Sequence, residues 1–476
     1  MFKIIAKYDW LMLRKDKMLS VFGGVLMLLI ILASWNGLSR YYQRKSLENE
    51  IQTLEKESIS QVKTVLSTIE KSGGVFEGGH FNDPRLPNNA LGKATERFAV
   101  LPTSPFSVLA IGQSDLLPYY YRLTSNKRQA LIHDSEIENA QILHTGSFDW
   151  AFLLVFILPL FIIAFCYNIV SSEREGGTLS LILSEPVPFK IVVFYKFIFR
   201  YLLFVSSIII LLLSVLLMAN APIFSIETLL ILVIVLSYCS FWFGLCYYVN
   251  SLWRNSGYNA TYLVSAWLIL LIILPAILNA FIQKTYPMPS RIDLITLNRS
   301  LGDKAREKGN QLLSVYYEDH PELVPQGKTI NFEDFALKSF AINTDIRKTL
   351  KPVQENYNNV LASQQQLVSN FRFASPGILM QESLNNLAGV GYERYTDFES
   401  QVTDYQQSLF DFIGSRIFKM TEMSVSEYDK IPIFQYQNSK SQLGIFENFG
   451  NVFFLLLISV MLIFIGNKKI SQNYFN

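Results

Sequence analysis

The chain has 476 residues, of which 50 % are hydrophobic, 14 % aromatic and only 17 % charged, with three cysteines and a formal net charge of +2. A soluble chain carries roughly a quarter of its residues charged, so this composition excludes a soluble enzyme. The apolar excess gathers in six windows of about 20 residues, the length a helix rising ~1.5 Å per residue needs to cross ~30 Å of hydrocarbon. The expected fold is an all-α polytopic membrane protein: six transmembrane helices plus a mainly helical extracytoplasmic domain built from two insertions.

In chain order, Met1–Lys17 interleaves Phe2, Ile4, Ile5, Tyr8, Leu11 and Met12 with Lys3, Lys7, Arg14 and Lys15, the pattern of an interfacial amphipathic helix. Residues 18–38 form span 1. Its apolar stretch is too long for a signal peptide, and Ala33-Ser34-Trp35 lacks the small-x-small cleavage pattern. The first insertion is 39–149. In it Leu47, Ile51, Leu54, Val62, Leu66 and Ile69 recur near helical spacing, which predicts an amphipathic helix rising from the membrane until Gly73-Gly74 and Gly78-Gly79 break it. Phe106–Tyr121, rich in Pro, Gly, aromatic and β-branched residues, is compatible with short strands.

Span 2 (150–170), a polar segment (171–196), span 3 (197–219), span 4 (229–250) and span 5 (259–283) follow. The second insertion is 284–448, then come span 6 (449–466) and a tail (467–476). Within the second insertion, Val353, Tyr357, Val360, Leu361, Gln364, Leu367, Val368 and Phe371 form one helical stripe, and Val402, Tyr405, Leu409, Phe412 and Ile413 another. Both are expected as core faces of helices, with the two insertions packed together.

Charge sets the topology. Lys3, Lys7, Arg14, Lys15, Lys17, Arg174, Lys190, Lys196, Arg200, Arg254, Lys468 and Lys469 lie outside the insertions, and Asn220–Thr228 has no basic residue. The positive-inside rule then puts both termini in the cytoplasm and both insertions outside. Cys166, Cys239 and Cys246 all fall inside spans, so no disulfide framework is expected in the insertions.

A search for chemistry finds little. Gly327-Lys328-Thr329 lacks the first glycine of a phosphate-binding loop, and so does Ala90-Leu91-Gly92-Lys93. His80, His133, His144 and His320 are scattered, with no metal-ligand spacing, and no Gly-x-Ser-x-Gly occurs. No catalytic residue, metal site or nucleic-acid-binding arm is expected. The span interiors carry no ionisable residue at mid-depth, which speaks against a proton- or ion-coupled carrier.

The segment between spans 2 and 3 is the most informative. Glu173, Arg174, Glu175, Gly176, Gly177, Thr178, Leu179, Ser180, Leu181, Ile182, Leu183, Ser184, Glu185 and Pro186 run in sequence. The glycine pair stops the membrane helix, Thr178 caps a new one, and Pro186 and Pro188 end it after about two turns. Leu179, Ile182 and Leu183 share a face, suited to docking into a partner's groove or to a connector lying on the membrane surface.

These residues, with Lys196 and Arg200 after them, resemble the E-R-E-x-G-T-L signature of ABC-2-type transporter permeases. Asp83-Pro84-Arg85, the Ala110–Asp115 run, Ser290-Arg291, the Asp319–Leu323 run, Ser375-Pro376 and Leu387-Ala388-Gly389 resemble landmarks of a subgroup with large insertions. The resemblance implies a permease subunit in a bacterial inner membrane, working as an exporter with a separate cytosolic ATPase that holds the ATP and magnesium. It implies no cofactor on this chain. It makes Glu173–Leu183 the coupling helix, Met1–Lys17 its flank and Ser251–Tyr258 a smaller contact. It further implies a second permease chain, identical or a sibling, enclosing a path lined by spans 1, 2 and 5. The family places short re-entrant helices between spans 5 and 6, where this chain carries 284–448. The competing expectation is a subunit that transmits ATPase motion to a periplasmic or envelope partner; a membrane-anchored enzyme is a third.

Overall fold

The computed structural model describes residues 1–15, 17–73, 82–112, 117–124, 148–324, 334–438 and 441–473, with 76, 78, 79, 114, 331 and 332. His80, His133, His144, Asp115 and Gly327–Thr329 lie outside them.

Among the described residues, six helices are long and apolar enough to cross a membrane, and each overlaps one of the expected windows. The protein is an all-α, multi-pass membrane protein in which, among the described residues, the strands form a single pair within the first insertion. The ends of the bundle are named here by what they carry: the terminal face holds both termini, and the insertion face holds both insertions.

Helix α1 (Phe2–Lys15) is separated from span 1 by Lys17, which takes a positive φ of 51°. Span 1 does not stop at the hydrocarbon boundary: Met18–Lys71 is one helix of 54 residues, about 80 Å long at 1.5 Å per residue. Spans 4 (Ile226–Asn250) and 6 (Ser441–Asn473) lie along each other; a Cβ on Gly244 would come within 3.1 Å of Ser459, whose hydroxyl donates to Ser240 O at 2.7 Å.

Spans 2 (Trp150–Glu175) and 5 (Ser256–Thr285) each contain a π turn, Leu153–Ile157 and Ile269–Ile273, followed two residues later by Pro159 and Pro275. Proline has no N–H to give the preceding turn and its ring crowds it, and the wider turn absorbs the defect.

The first insertion supplies the upper part of span 1 and an antiparallel hairpin, β1 (Arg97–Val100) with β2 (Tyr120–Leu123), Arg97 opposite Leu123. Of Phe106–Tyr121, compatible with short strands, the described residues contain only the start of β2 at Tyr120; Pro105–Val108 is a 3-10 turn and β1 precedes it. The proline-led turn has a different job. Phe106, Val108, Leu109 and Ala110 are buried in the bundle core against span 1, where Gly37 allows the Val108 backbone to approach.

The second insertion forms α3 (Arg291–Glu307), α4 (Gly309–Asp319), α5 (Phe335–Phe371), α6 (Pro376–Ala388), α7 (Tyr392–Phe418) and α8 (Val425–Asp429). As expected, the insertions share a core. Val62 and Leu66 of span 1, Ala99 and Tyr121 of the hairpin, and Phe398, Val402, Tyr405, Leu409 and Ile413 of α7 pack together.

The stripe from Val353 to Phe371 is a correction. None of it is buried; the core-facing residues of α5 are Leu337, Phe340, Ala341, Ile346 and Leu350, before Pro352. The later half runs down the side of span 5. Gln364 donates to Tyr286 O at 2.6 Å, and Phe371 meets Phe281 edge-on with centroids 6.4 Å apart. Apolar helical spacing reports an apolar neighbour, and here that neighbour is a membrane span rather than a soluble core.

The chain then turns through Arg372–Ala374 and climbs back as α6, whose Leu379, Met380, Leu384 and Ala388 belong to the bundle core. Ser375, at the foot of the turn, donates to Leu270 O at 2.6 Å, halfway along span 5. The second insertion therefore does not lie wholly outside the bundle: residues from about Gln364 to Ala388 form a re-entrant helical hairpin between spans 4, 5 and 6.

Candidate functional site

The segment after span 2 sits at the terminal face. Span 2 ends as a short helical turn, Ser171–Glu175, and Gly177 takes φ +73°, a left-handed conformation that glycine adopts without cost. Helix α2 (Leu179–Ser184) follows and ends where Glu185 becomes extended ahead of Pro186. The expected segment 171–196 is shorter than its bounds, because the span 3 helix already begins at Phe189.

Each member of the Glu173-Arg174-Glu175 triplet is fastened to a different part of the bundle. Glu173 is buried and paired with Lys196 of span 3. Arg174 donates to Trp253 O at 2.6 Å, in the turn between spans 4 and 5, where Trp253 has φ 55°. Glu175 accepts from Ser256 N at 2.8 Å and from Ser256 Oγ at 2.7 Å, so it sits at the N-terminus of span 5, where a carboxylate is favoured by the helix dipole. Below the triplet, Asn250 accepts from Val170 N at 3.1 Å and donates to Cys166 O at 2.8 Å. The triplet thus ties span 2 to spans 3, 4 and 5 at one level.

Two expectations for this segment change. Thr178 does not cap α2 with its side chain; its hydroxyl donates back to the Glu173 carboxylate. And Leu179, Ile182 and Leu183 are half-buried against the chain's own core, whereas Leu181 is 68 % exposed. A six-residue helix between glycines and prolines has only one apolar stripe, and the nearest dry surface is the bundle itself. The face left to solvent carries Arg174, Glu175, Gly176, Gly177, Thr178, Ser180, Leu181, Glu185 and Pro186.

Beside it lies α1, whose Ile4, Tyr8, Leu11 and Met12 are exposed while Asp9 is buried. Asp9 takes both of its oxygens to Arg200 of span 3 at 2.8 Å, and Arg200 also donates to Phe165 O of span 2. Arg200 is legible in the sequence among the basic residues outside the insertions, and Asp9 is not singled out there. The available signal was a lone acid on the apolar side of a basic helix.

The insertion face holds a second polar group. Among the described residues, the buried Oε2 of Glu382 in α6 has no hydrogen-bond partner. Arg372 lies 3.4 Å from Glu447 at the head of span 6. Asn451, also buried, donates to Ser383 Oγ at 2.9 Å. The windows themselves hold no acid at mid-depth, yet the hairpin carries ionisable side chains into the bundle from a stretch whose composition is that of a soluble domain. Among the described residues no cluster of three or more His, Cys, Asp or Glu could hold a metal, and the three cysteines are free and buried.

Residues 291–437 match a family model described as a domain of unknown function, DUF3526. The match runs from the first helix after span 5 to the loop before span 6 and includes the re-entrant hairpin. No curated protein and no solved structure matches the chain.

Proposed function

We propose that the protein is the membrane-spanning permease subunit of an ATP-driven ABC transporter of the ABC-2 type, an exporter, coupled to a separate cytosolic ATPase. In this reading the terminal face is cytoplasmic and the membrane is a bacterial inner membrane. The observation that carries it is the triplet Glu173-Arg174-Glu175, which joins spans 2, 3, 4 and 5 beneath a solvent-facing edge. A motor pressing on that edge would move four spans together. Leu181 is the apolar side chain the edge offers to a partner, with Arg174, Glu175 and Glu185 around it, and α1 flanks it through Asp9–Arg200. The ATP and magnesium belong to the partner, and a second permease chain completes the path.

The test is copurification of the tagged chain with its ATPase. Leu181→Asp should abolish association and stimulated ATP hydrolysis while the chain stays folded. If both persist at the wild-type level, the segment is not the coupling element.

A second reading, transmission of motion to an envelope partner, is favoured by one observation: the unbroken helix Met18–Lys71 carries Val62 and Leu66 into the insertion core, a rigid connection from span to insertion. Reconstituted with its ATPase in liposomes, a conduit would show ATP-dependent flux unaided. A transmission subunit would hydrolyse ATP without flux until its partner is added.

A further inference from the structure

Spans 2 and 5 each carry a π turn followed by a proline, an arrangement that kinks helices, and in each a side chain from another element donates to a carbonyl of the turn. In span 2, where Leu158 N–H reaches back to Leu153 O and Pro159 supplies no donor after it, Tyr238 Oη donates to Val155 O at 2.7 Å. Tyr238 belongs to span 4 and is fully buried, so that bend is fixed from within the bundle. In span 5, Leu274 N–H reaches back to Ile269 O in the π turn. The next donor would be that of Pro275, which has none, so Leu270 O has no partner in its own helix. Its partner is Ser375 Oγ, at 2.6 Å, from the foot of the re-entrant hairpin.

Ser375 is fully committed by this. A serine hydroxyl has one hydrogen to give and two lone pairs. The hydrogen goes to Leu270 O, while the oxygen caps α6 by accepting from Gly377 N at 3.2 Å and Ile378 N at 3.4 Å. Next to it, Gly377 lets the hairpin approach both bends: a Cβ there would lie 2.6 Å from Leu271 Cδ2 and 3.5 Å from Val155 Cγ1. Span 5 is also the span held least by its neighbours, with 11 % of its apolar window buried against 67 % for spans 2 and 4.

We propose that Ser375 is a latch: the seated hairpin and the bend of span 5 are one two-state event, because withdrawing the hairpin strands the Leu270 carbonyl in hydrocarbon, where no water replaces the lost donor. If the helix rewinds about Pro275, Leu274 N–H moves from Ile269 O to Leu270 O. The donor that Pro275 lacks is then missed by Leu271 O instead, one residue further round the helix, so the bend changes and its arm swings. Ser375 is a positioning residue in this device, acting through span 5. The latch makes the position of the second insertion readable at mid-membrane, and the Glu175–Ser256 contact makes span 5 readable at the terminal face.

The full-length chain in lipid nanodiscs tests this, with spin labels at Lys284, on the arm beyond the bend, and at Phe224, fully exposed in the turn between spans 3 and 4. From Leu274 to Lys284 the arm is about 16 Å long, so a swing of about 20° displaces its end by about 5 Å. Ser375→Ala should shift or broaden the distance distribution by that amount, and Ser375→Thr, which keeps the hydroxyl, should restore the wild-type distribution. Gly377→Leu, which unseats the hairpin with Ser375 intact, should give the same shift as Ser375→Ala. An unchanged distribution in Ser375→Ala overturns the latch. A shift in Ser375→Ala without one in Gly377→Leu overturns the link between seating and bend.

Discussion

The Asp9–Arg200 pair offers the sharpest energetic test of how α1 is held. The Asp9 side chain has no exposure and that of Arg200 has 11 %. Both aspartate oxygens are at 2.8 Å, and the guanidinium also donates to the Phe165 carbonyl. Asp9→Ala removes the countercharge and leaves a guanidinium among Phe165, Cys166 and α1 with one neutral acceptor. Removing one partner of a buried pair costs about 3–5 kcal/mol, whereas replacing both by apolar residues of similar volume is often near neutral. Asp9→Leu combined with Arg200→Met should therefore recover most of what either single change loses. The assay is denaturant unfolding of the chain in mixed micelles as a double-mutant cycle, with α1 amide exchange followed in parallel. If Asp9→Ala costs under about 1 kcal/mol, or the double variant costs as much as the two singles together, the pair is water-exposed and α1 is held by something else.

Other consequences follow from single contacts. Leu179→Asp, unlike Leu181→Asp, should destabilise the chain itself by about 1–3 kcal/mol, since Leu179 packs on the bundle core; a thermal-shift comparison of the two variants separates them. Gly414→Ala should cost about 1–3 kcal/mol by overpacking, because a Cβ would meet the Phe340 ring at 2.2 Å and that ring is stacked on Phe410 at a centroid distance of 4.0 Å; unfolding followed by insertion fluorescence reads this. Lys430 and Arg416 hold the Glu427 carboxyl below its ordinary range. Its contribution is present above the unfolded carboxylate pKa of about 4.3 and is lost as pH falls through the lowered folded value. Glu427→Gln should accordingly flatten the acid limb of the insertion's melting temperature plotted against pH.

How far the sequence could be read depended on whether a residue's partner was solvent, lipid or another part of the chain. The six spans, the helical continuation of span 1 to Lys71 and the shared insertion core were legible, because each is set by apolar spacing along one helix. The candidate segment was legible as a motif, and its bounding glycines and prolines were identified as breakers. Its outward face was not, because Leu179, Ile182 and Leu183 satisfy a docking pattern equally well against a partner or against their own bundle. Val353–Phe371 failed for the same reason in the other direction: the stripe matches span 5, which no local spacing reveals.

The sequence by itself determined that the chain is a six-span membrane protein with two insertions, since crossing hydrocarbon demands long runs of apolar residues that nothing else in a chain of this size requires. The tertiary structure alone decided which of the inserted residues leave the polar domain for the bundle. By sequence Ser375 and Pro376 are one of several landmarks in the second insertion, and only the neighbouring span shows why Ser375 lies halfway along it: Pro275 leaves Leu270 O short of a donor, and a buried carbonyl requires one from wherever the chain can bring it.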